Sequence, residues 1–192
     1  MVQALAHADT VAGEELARLQ VLRDLFAAAP NEELLGRLIE QAGHDEALQE
    51  LAQASREHPE EDLAAEWMRL FEGPGRVPVV LFGSYYLDGE KLMGPSTQAA
   101  RQFYRQYGME PVANIPADHL AYELGLLGYF TESAAMADAG ERQRFLAARS
   151  EFVHRFMLPW ITKMVKVLGE STNFRFFVHL GDVLVSVIQL MQ

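Results

Sequence analysis

The sequence predicts an all-α fold, a single-domain helical bundle over residues 1–192 with a long connector near residues 73–95. Three observations predict it. Apolar residues recur at helical spacing in every periodic segment of the chain. The one stretch rich in β-branched and aromatic residues, Val79 to Leu87, has no second strand nearby to pair with, and a lone strand is not stable. Breakers concentrate in a single interval, where Gly73, Pro74, Gly75, Pro78, Gly83, Gly89, Gly94 and Pro95 interrupt any period.

The first helix is predicted from Val11 to Ala29, with Leu16, Leu19, Leu22, Leu25 and Phe26 on one face and Arg18, Arg23 and Asp24 opposite. Pro30-Asn31-Glu32-Glu33 ends it and starts a second, whose stripe is Leu34, Leu35, Leu38 and Ile39 and which Gly43 stops. Ala47, Leu48, Leu51 and Ala52 form a third, ahead of His58-Pro59, and Glu60 to Phe71 a fourth with acids in its first turn. Val79 to Leu87 reads as an extended, packed connector. Ser96 is placed as the N-cap of a helix carrying Ala99, Ala100, Phe103, Tyr104 and Tyr107, ended by Gly108. Pro116 suits a first helical turn and Asp118 the positive end of its dipole, while Leu120, Leu124, Leu127 and Phe130 follow at core spacing. Glu141 to Met157 continues with Phe145, Leu146, Phe152 and Phe156 inward. Pro159 opens a helix through Leu168, and Ser171 is placed as the cap of a last one ending near Leu190.

Composition narrows the chemistry. With 49% hydrophobic and 22% charged residues the chain has the balance of a folded domain. It has no cysteine, which excludes disulfides, thiolate nucleophiles, iron–sulfur ligation and thiolate zinc sites. The first residues lack a basic stretch followed by an apolar one, so a cytoplasmic location is expected. Phe174 to Leu190 is the most apolar candidate span, but Arg175, His179 and Asp182 interrupt it and make it a buried helix. A net charge of −11 argues against nucleic acid and anionic membrane and suits a basic partner.

The polar residues at the tip of the Leu120–Phe130 helix are the principal candidates for function. Asp118 and His119, with Glu123 one turn on, allow a metal or hydrolytic site, although no H-E-x-x-H run supplies further ligands. They also allow, as the simpler reading, a capping Asp118 beside a satisfied, partly buried His119. Trp67, Leu70 and Phe71 fit a core face or the wall of a groove. Gly94-Pro95-Ser96-Thr97 lacks the spacing and lysine of a phosphate loop. His7, His44, His58 and His179 share no ligand spacing, and no cofactor is predicted.

Four segments carry a resemblance. Pro116-Ala117-Asp118-His119-Leu120-Ala121-Tyr122-Glu123-Leu124 is similar to a P-x-D-H-L-x-x-E-L element, and Trp67-Met68-Arg69-Leu70-Phe71-Glu72-Gly73-Pro74 to an aromatic-x-x-L-F-x-G-P element. Gly83-Ser84-Tyr85-Tyr86 through Gly94-Pro95-Ser96-Thr97 follows in order, then His154-Arg155-Phe156-Met157-Leu158-Pro159-Trp160. Together, over Trp67 to Trp160, they resemble the TorD/DmsD family of cytoplasmic chaperones for molybdoenzyme maturation. Ile115 departs from the pattern, standing where many members have an acid.

The resemblance implies a non-enzymatic chaperone for a molybdopterin-containing reductase subunit. It would bind the twin-arginine leader and the apo form, support cofactor insertion and proofread before export, as monomer or homodimer. Positions equivalent to Trp67, Phe71, Asp118 and His119 are implied in leader recognition. A leader with a basic pair and an apolar stretch calls for carboxylates beside an apolar wall. Asp118 and Glu123 offer the acceptors, and Trp67, Leu70, Phe71, Tyr85 and Tyr86 the wall. The alternatives are a NarJ-like assembly chaperone for a non-exported reductase subunit and a small helical metal-dependent hydrolase.

Overall fold

The computed structural model describes residues 2–43, 45–111 and 115–192, with side chains from residue 12 onward. The side chains of His7 and Val11, and all of His44 and Asn114, considered above, lie outside the described set.

Every named element of the described chain is helical, as predicted. Ten α-helices follow in order: α1 (Val2–Ala27), α2 (Glu32–Ala42), α3 (Glu46–Ala54), α4 (Glu60–Trp67), α5 (Gly83–Leu87), α6 (Pro95–Gln106), α7 (Leu120–Met136), α8 (Ala139–Phe152), α9 (Leu158–Ser171) and α10 (Arg175–Leu190). Helix α1 packs along α7, α7 on α8, and α10 on α9 and α3. The first helix thus lies against the centre of the chain. Leu22, Phe26, Leu38, Leu51, Leu127, Phe130, Phe152, Phe177 and Leu184 belong to one buried cluster.

Local signals account for most boundaries. Asn31 accepts from the Leu34 N–H at 2.9 Å to begin α2, and Asp45 and Asp138 cap α3 and α8 in the same manner. Gly108, at φ 70°, closes α6 because its N–H reaches the Arg105 carbonyl and that of Met109 the Tyr104 carbonyl, a Schellman ending that needs a left-handed residue. Phe174 to Leu190 is a buried helix, as expected, and no described helix is long and apolar enough to cross a membrane.

Several boundaries differ, each for a local reason. Helix α1 starts at Val2, well before Val11, and stops at Ala27. The fourth helix is α-helical only to Trp67 and continues as a π turn, Met68–Glu72; a second π turn, Val153–Met157, links α8 to α9. Ser96 does not cap α6: Gly94 holds that position and Pro95 the first turn, while the Ser96 hydroxyl donates to Asp88 Oδ1 at 2.8 Å and its N–H to Oδ2 at 2.9 Å. Ser171 is the last residue of α9, and the Thr172 hydroxyl takes the Phe174 N–H instead. Gly83–Leu87 is a short helix rather than extended chain. The missing strand partner is also found: Phe82 forms a single antiparallel bridge with His119, a pairing of distant residues that no local pattern reveals.

Candidate functional site at the tip of α7

Helix α7 begins at Leu120, so Pro116 and Asp118 precede it. The cap is His119, whose Nδ1 accepts from the Ala121 N–H at 3.2 Å. Burial holds the His119 imidazole below its ordinary range, opposed by the Asp118 charge, and the neutral ring is the form that can accept. Asp118, freed from capping, turns to the connector.

Three hydrogen bonds clasp the connector to this tip. The Leu120 N–H donates to the Leu81 carbonyl at 2.9 Å, the Gly83 N–H to the Asp118 carbonyl at 2.9 Å, and the Ser84 N–H to Asp118 Oδ2 at 2.6 Å. Phe82 sets its ring edge-on to His119, centroids 4.9 Å apart, with Tyr122 beyond at 6.2 Å. Phe82, His119 and Tyr122 are half-buried, and Ile115 is exposed. The three rings form a half-buried aromatic patch at the clasp.

Beneath it lies a polar cluster without water access. Asp118 is 2% exposed and Glu123 1%. Burial first, and the Asp118 charge second, push the Glu123 carboxyl well above its ordinary range, with the Trp160 indole acting in the opposite direction. The Tyr104 phenol is raised as well, by burial and then by Glu123 and Asp118. Asp118 Oδ1, Glu123 Oε2, the hydroxyls of Ser84 and Tyr104, and Trp160 Nε1 have no hydrogen-bond partner among the described residues. Each such group buried costs about 1–3 kcal/mol. Gly83 makes the enclosure possible, since a methyl there would sit 2.9 Å from Trp160 Nε1. Tyr86 stacks on the same indole, rings 5.6 Å apart and 19° from parallel.

The predicted residues divide into two groups. Asp118, His119, Glu123, Tyr85 and Tyr86 gather at the tip of α7, Tyr85 accepting from Arg76 at 3.1 Å. Trp67, Leu70 and Phe71 are buried elsewhere in the core: the Trp67 indole donates to the Leu25 carbonyl at 2.8 Å, and Phe71 packs edge-on against Phe26 and Phe177. The π turn joins the groups through one bond, from the Val79 N–H to the Leu70 carbonyl at 3.1 Å. Ser84, Tyr104 and Trp160 are additions from the structure; the sequence places Ser84 and Trp160 in the segments of resemblance and Tyr104 on a helix face, with no site role for any of them. Among the described residues no three His, Asp or Glu side chains are placed to hold a metal ion.

Residues 40–166, more than half of the chain, match the model of the family described as nitrate reductase delta subunit. The chain belongs to that family. Among curated relatives of this delta subunit family member, the chaperone protein TorD of Aliivibrio salmonicida is 27% identical over 140 residues, covering 71% of this chain and 65% of that protein. The Tat proofreading chaperone DmsD of Salmonella typhimurium is 32% identical over 140 residues, covering 71% of this chain and 64% of the relative. The matches thus span just under two thirds of the relatives' length. The resemblance to TorD and DmsD thus holds over 71% of the chain. The crystal structure of a protein named as a redox enzyme maturation protein, from Archaeoglobus fulgidus, superposes with a TM-score of 0.62 at 22% identity, covering 92% of each chain, and shows the fold is shared.

Proposed function

We propose that this delta subunit family member is a chaperone that binds the twin-arginine leader and the apo form of a molybdopterin-containing reductase subunit, holding it through cofactor insertion and proofreading before export. It recognises and does not catalyse. The observation that carries this reading is the joining of an aromatic surface, Phe82, His119 and Tyr122, to the paired acids Asp118 and Glu123 at one helix tip. A leader brings the complements of both, apolar side chains and guanidinium groups. TorD and DmsD, named as chaperones, support the class of activity. Tyr85 and Tyr86 extend the contact along the connector. Trp67, Leu70 and Phe71 contribute from behind, by holding the π turn to which the connector is bonded.

A second reading has its own support. The family description names a nitrate reductase subunit, which suits an assembly chaperone whose client is not exported. Dependence on the leader separates the two.

The test is affinity purification from anaerobically grown cells, with mass spectrometry of what co-purifies. Native protein is expected to recover an uncleaved twin-arginine reductase subunit, and His119→Ala protein to recover at least tenfold less while keeping its melting temperature within a few degrees. Recovery of a leaderless subunit would favour the second reading. Equal recovery by both proteins would remove the tip of α7 from the binding site.

A further inference from the structure

Asp118 and Glu123 are the acceptors that the leader-binding reading requires, yet both are sealed. Over Asp118 the cover is the connector itself, because Leu81 and Gly83 pair with the backbone of Leu120 and Asp118 and the Ser84 N–H occupies Asp118 Oδ2. The same segment reaches the surroundings of Glu123 at Gly83, packed against the Trp160 indole that acts on that carboxyl. Under that cover a carboxylate at Glu123 would have, among the described residues, no cation, no donor bonded to Oε2, only the Trp160 indole acting in its favour, and a second carboxylate beside it. A buried charge so placed is strongly disfavoured, and the group keeps its proton instead. From the segment before α7 Glu123 faces Asp118, from α6 the Tyr104 phenol, and from α9 the Trp160 indole. None of these brings positive charge. The arginines nearest along α7 lie further on, Arg23 of α1 beside Gly125 and Arg149 of α8 on Thr131.

We propose that residues 81–84 are a lid over Asp118 and Glu123, that the closed form stores a proton on Glu123, and that lifting the lid to admit a cationic client group releases it. This rests on the leader-binding reading for the identity of the client, but the lid and its proton stand on the contacts alone. Once the lid is raised, water reaches Glu123 and its carboxyl returns toward the ordinary range. The closed form therefore binds one more proton than the open form, and rising pH favours opening by up to tenfold per unit. His119 works in the opposite sense, since its imidazole is held neutral when closed, so the Glu123 contribution is read as the difference between native protein and a variant that keeps His119.

The experiment follows amide hydrogen exchange by NMR at Gly83, Ser84 and Leu120, from pH 5.5 to 8, corrected for the intrinsic rate. In native protein the opening constant at these amides is expected to rise at least fivefold more than in Glu123→Gln protein, with Leu180 in α10 the same in both. The carboxyl 13C shift of Glu123 in native protein reports its protonation directly, whether or not the variant folds. Parallel slopes in the two proteins, or a Glu123 carboxyl that ionises in the ordinary range, would overturn the lid. A synthetic peptide with two consecutive arginines and a leucine-rich stretch provides the second arm. Tightening of its binding with pH in native protein but not in Glu123→Gln supports the whole proposal. A peptide that fails to bind while the amides behave as expected would sink the leader reading and leave the lid standing.

Discussion

Two buried clusters sit side by side among α6, α7, α8 and α9, and they are built on opposite principles. In the aromatic one, Phe103 meets Phe130, Phe152 and Phe156 at centroid distances of 5.2–6.3 Å, every ring filling space left by another. In the polar one, Asp118, Glu123, Ser84, Tyr104 and Trp160 exclude water as completely but leave hydrogen-bonding atoms unmatched. Tyr104 belongs to both, its ring edge-on to Phe152 and its hydroxyl among the acids. The contrast shows how a small domain divides its interior: one part supplies cohesion, the other encloses polar groups at a cost in stability.

The largest effect is expected on the aromatic side. Phe152→Ala should cost about 3–5 kcal/mol in urea unfolding, since the ring is wholly buried. A cost under about 1 kcal/mol would remove the contrast. Next comes the seam: Gly83→Ala should cost about 1–3 kcal/mol by pushing on the Trp160 indole, whereas Gly36→Ala, in open space on α2, should gain about 0.5–1 kcal/mol. Equal effects at the two glycines would mean that the enclosure is loose. Asp118→Ala should cost as much as Gly83→Ala, about 1–3 kcal/mol, because it strips the buried Ser84 N–H of its acceptor.

The smallest effect is a pH dependence. The His119 imidazole is depressed in the folded protein, so its stabilising contribution is full above the unfolded value of 6.5 and is lost as pH falls through the folded value. Glu123, raised when folded, acts in the reverse direction: its contribution is full below 4.5 and is lost as pH rises through the raised value. His119→Asn keeps a side chain able to cap and should abolish the first slope while leaving the second, measured as melting temperature between pH 5.5 and 7.5. An unchanged profile would show that the His119 imidazole is not depressed in the folded protein.

What was legible in the sequence was whatever depends on neighbours along the chain. Leu120, Leu124, Leu127 and Phe130 announce a buried helix face by spacing alone, and Asn31 and Gly108 mark termini through chemistry within a turn. The acids at the tip of α7 stood out because a carboxylate and a histidine ahead of an apolar run have no packing purpose. Their partners were hidden, since Ser84 lies 34 positions from Asp118. The same distance effect explains Trp67 and Phe71. Their helical spacing fits a groove wall or a core equally, and only Leu25, Phe26 and Phe177, brought in from both ends of the chain, decide for the core in this structure.

The two π turns, Met68–Glu72 and Val153–Met157, bear on how the length of this chain can vary. A π turn carries one residue more than the α turn it replaces, so it absorbs an insertion without adding a loop. Removing one residue there should restore an ordinary helix and rotate everything on one side of it by about 100°. Before the first π turn that rotation would carry Trp67 out of its pocket, and after the second it would turn Trp160 away from the acids. Gaps of one residue among family members should therefore avoid these two sites unless a compensating change falls within the same helix.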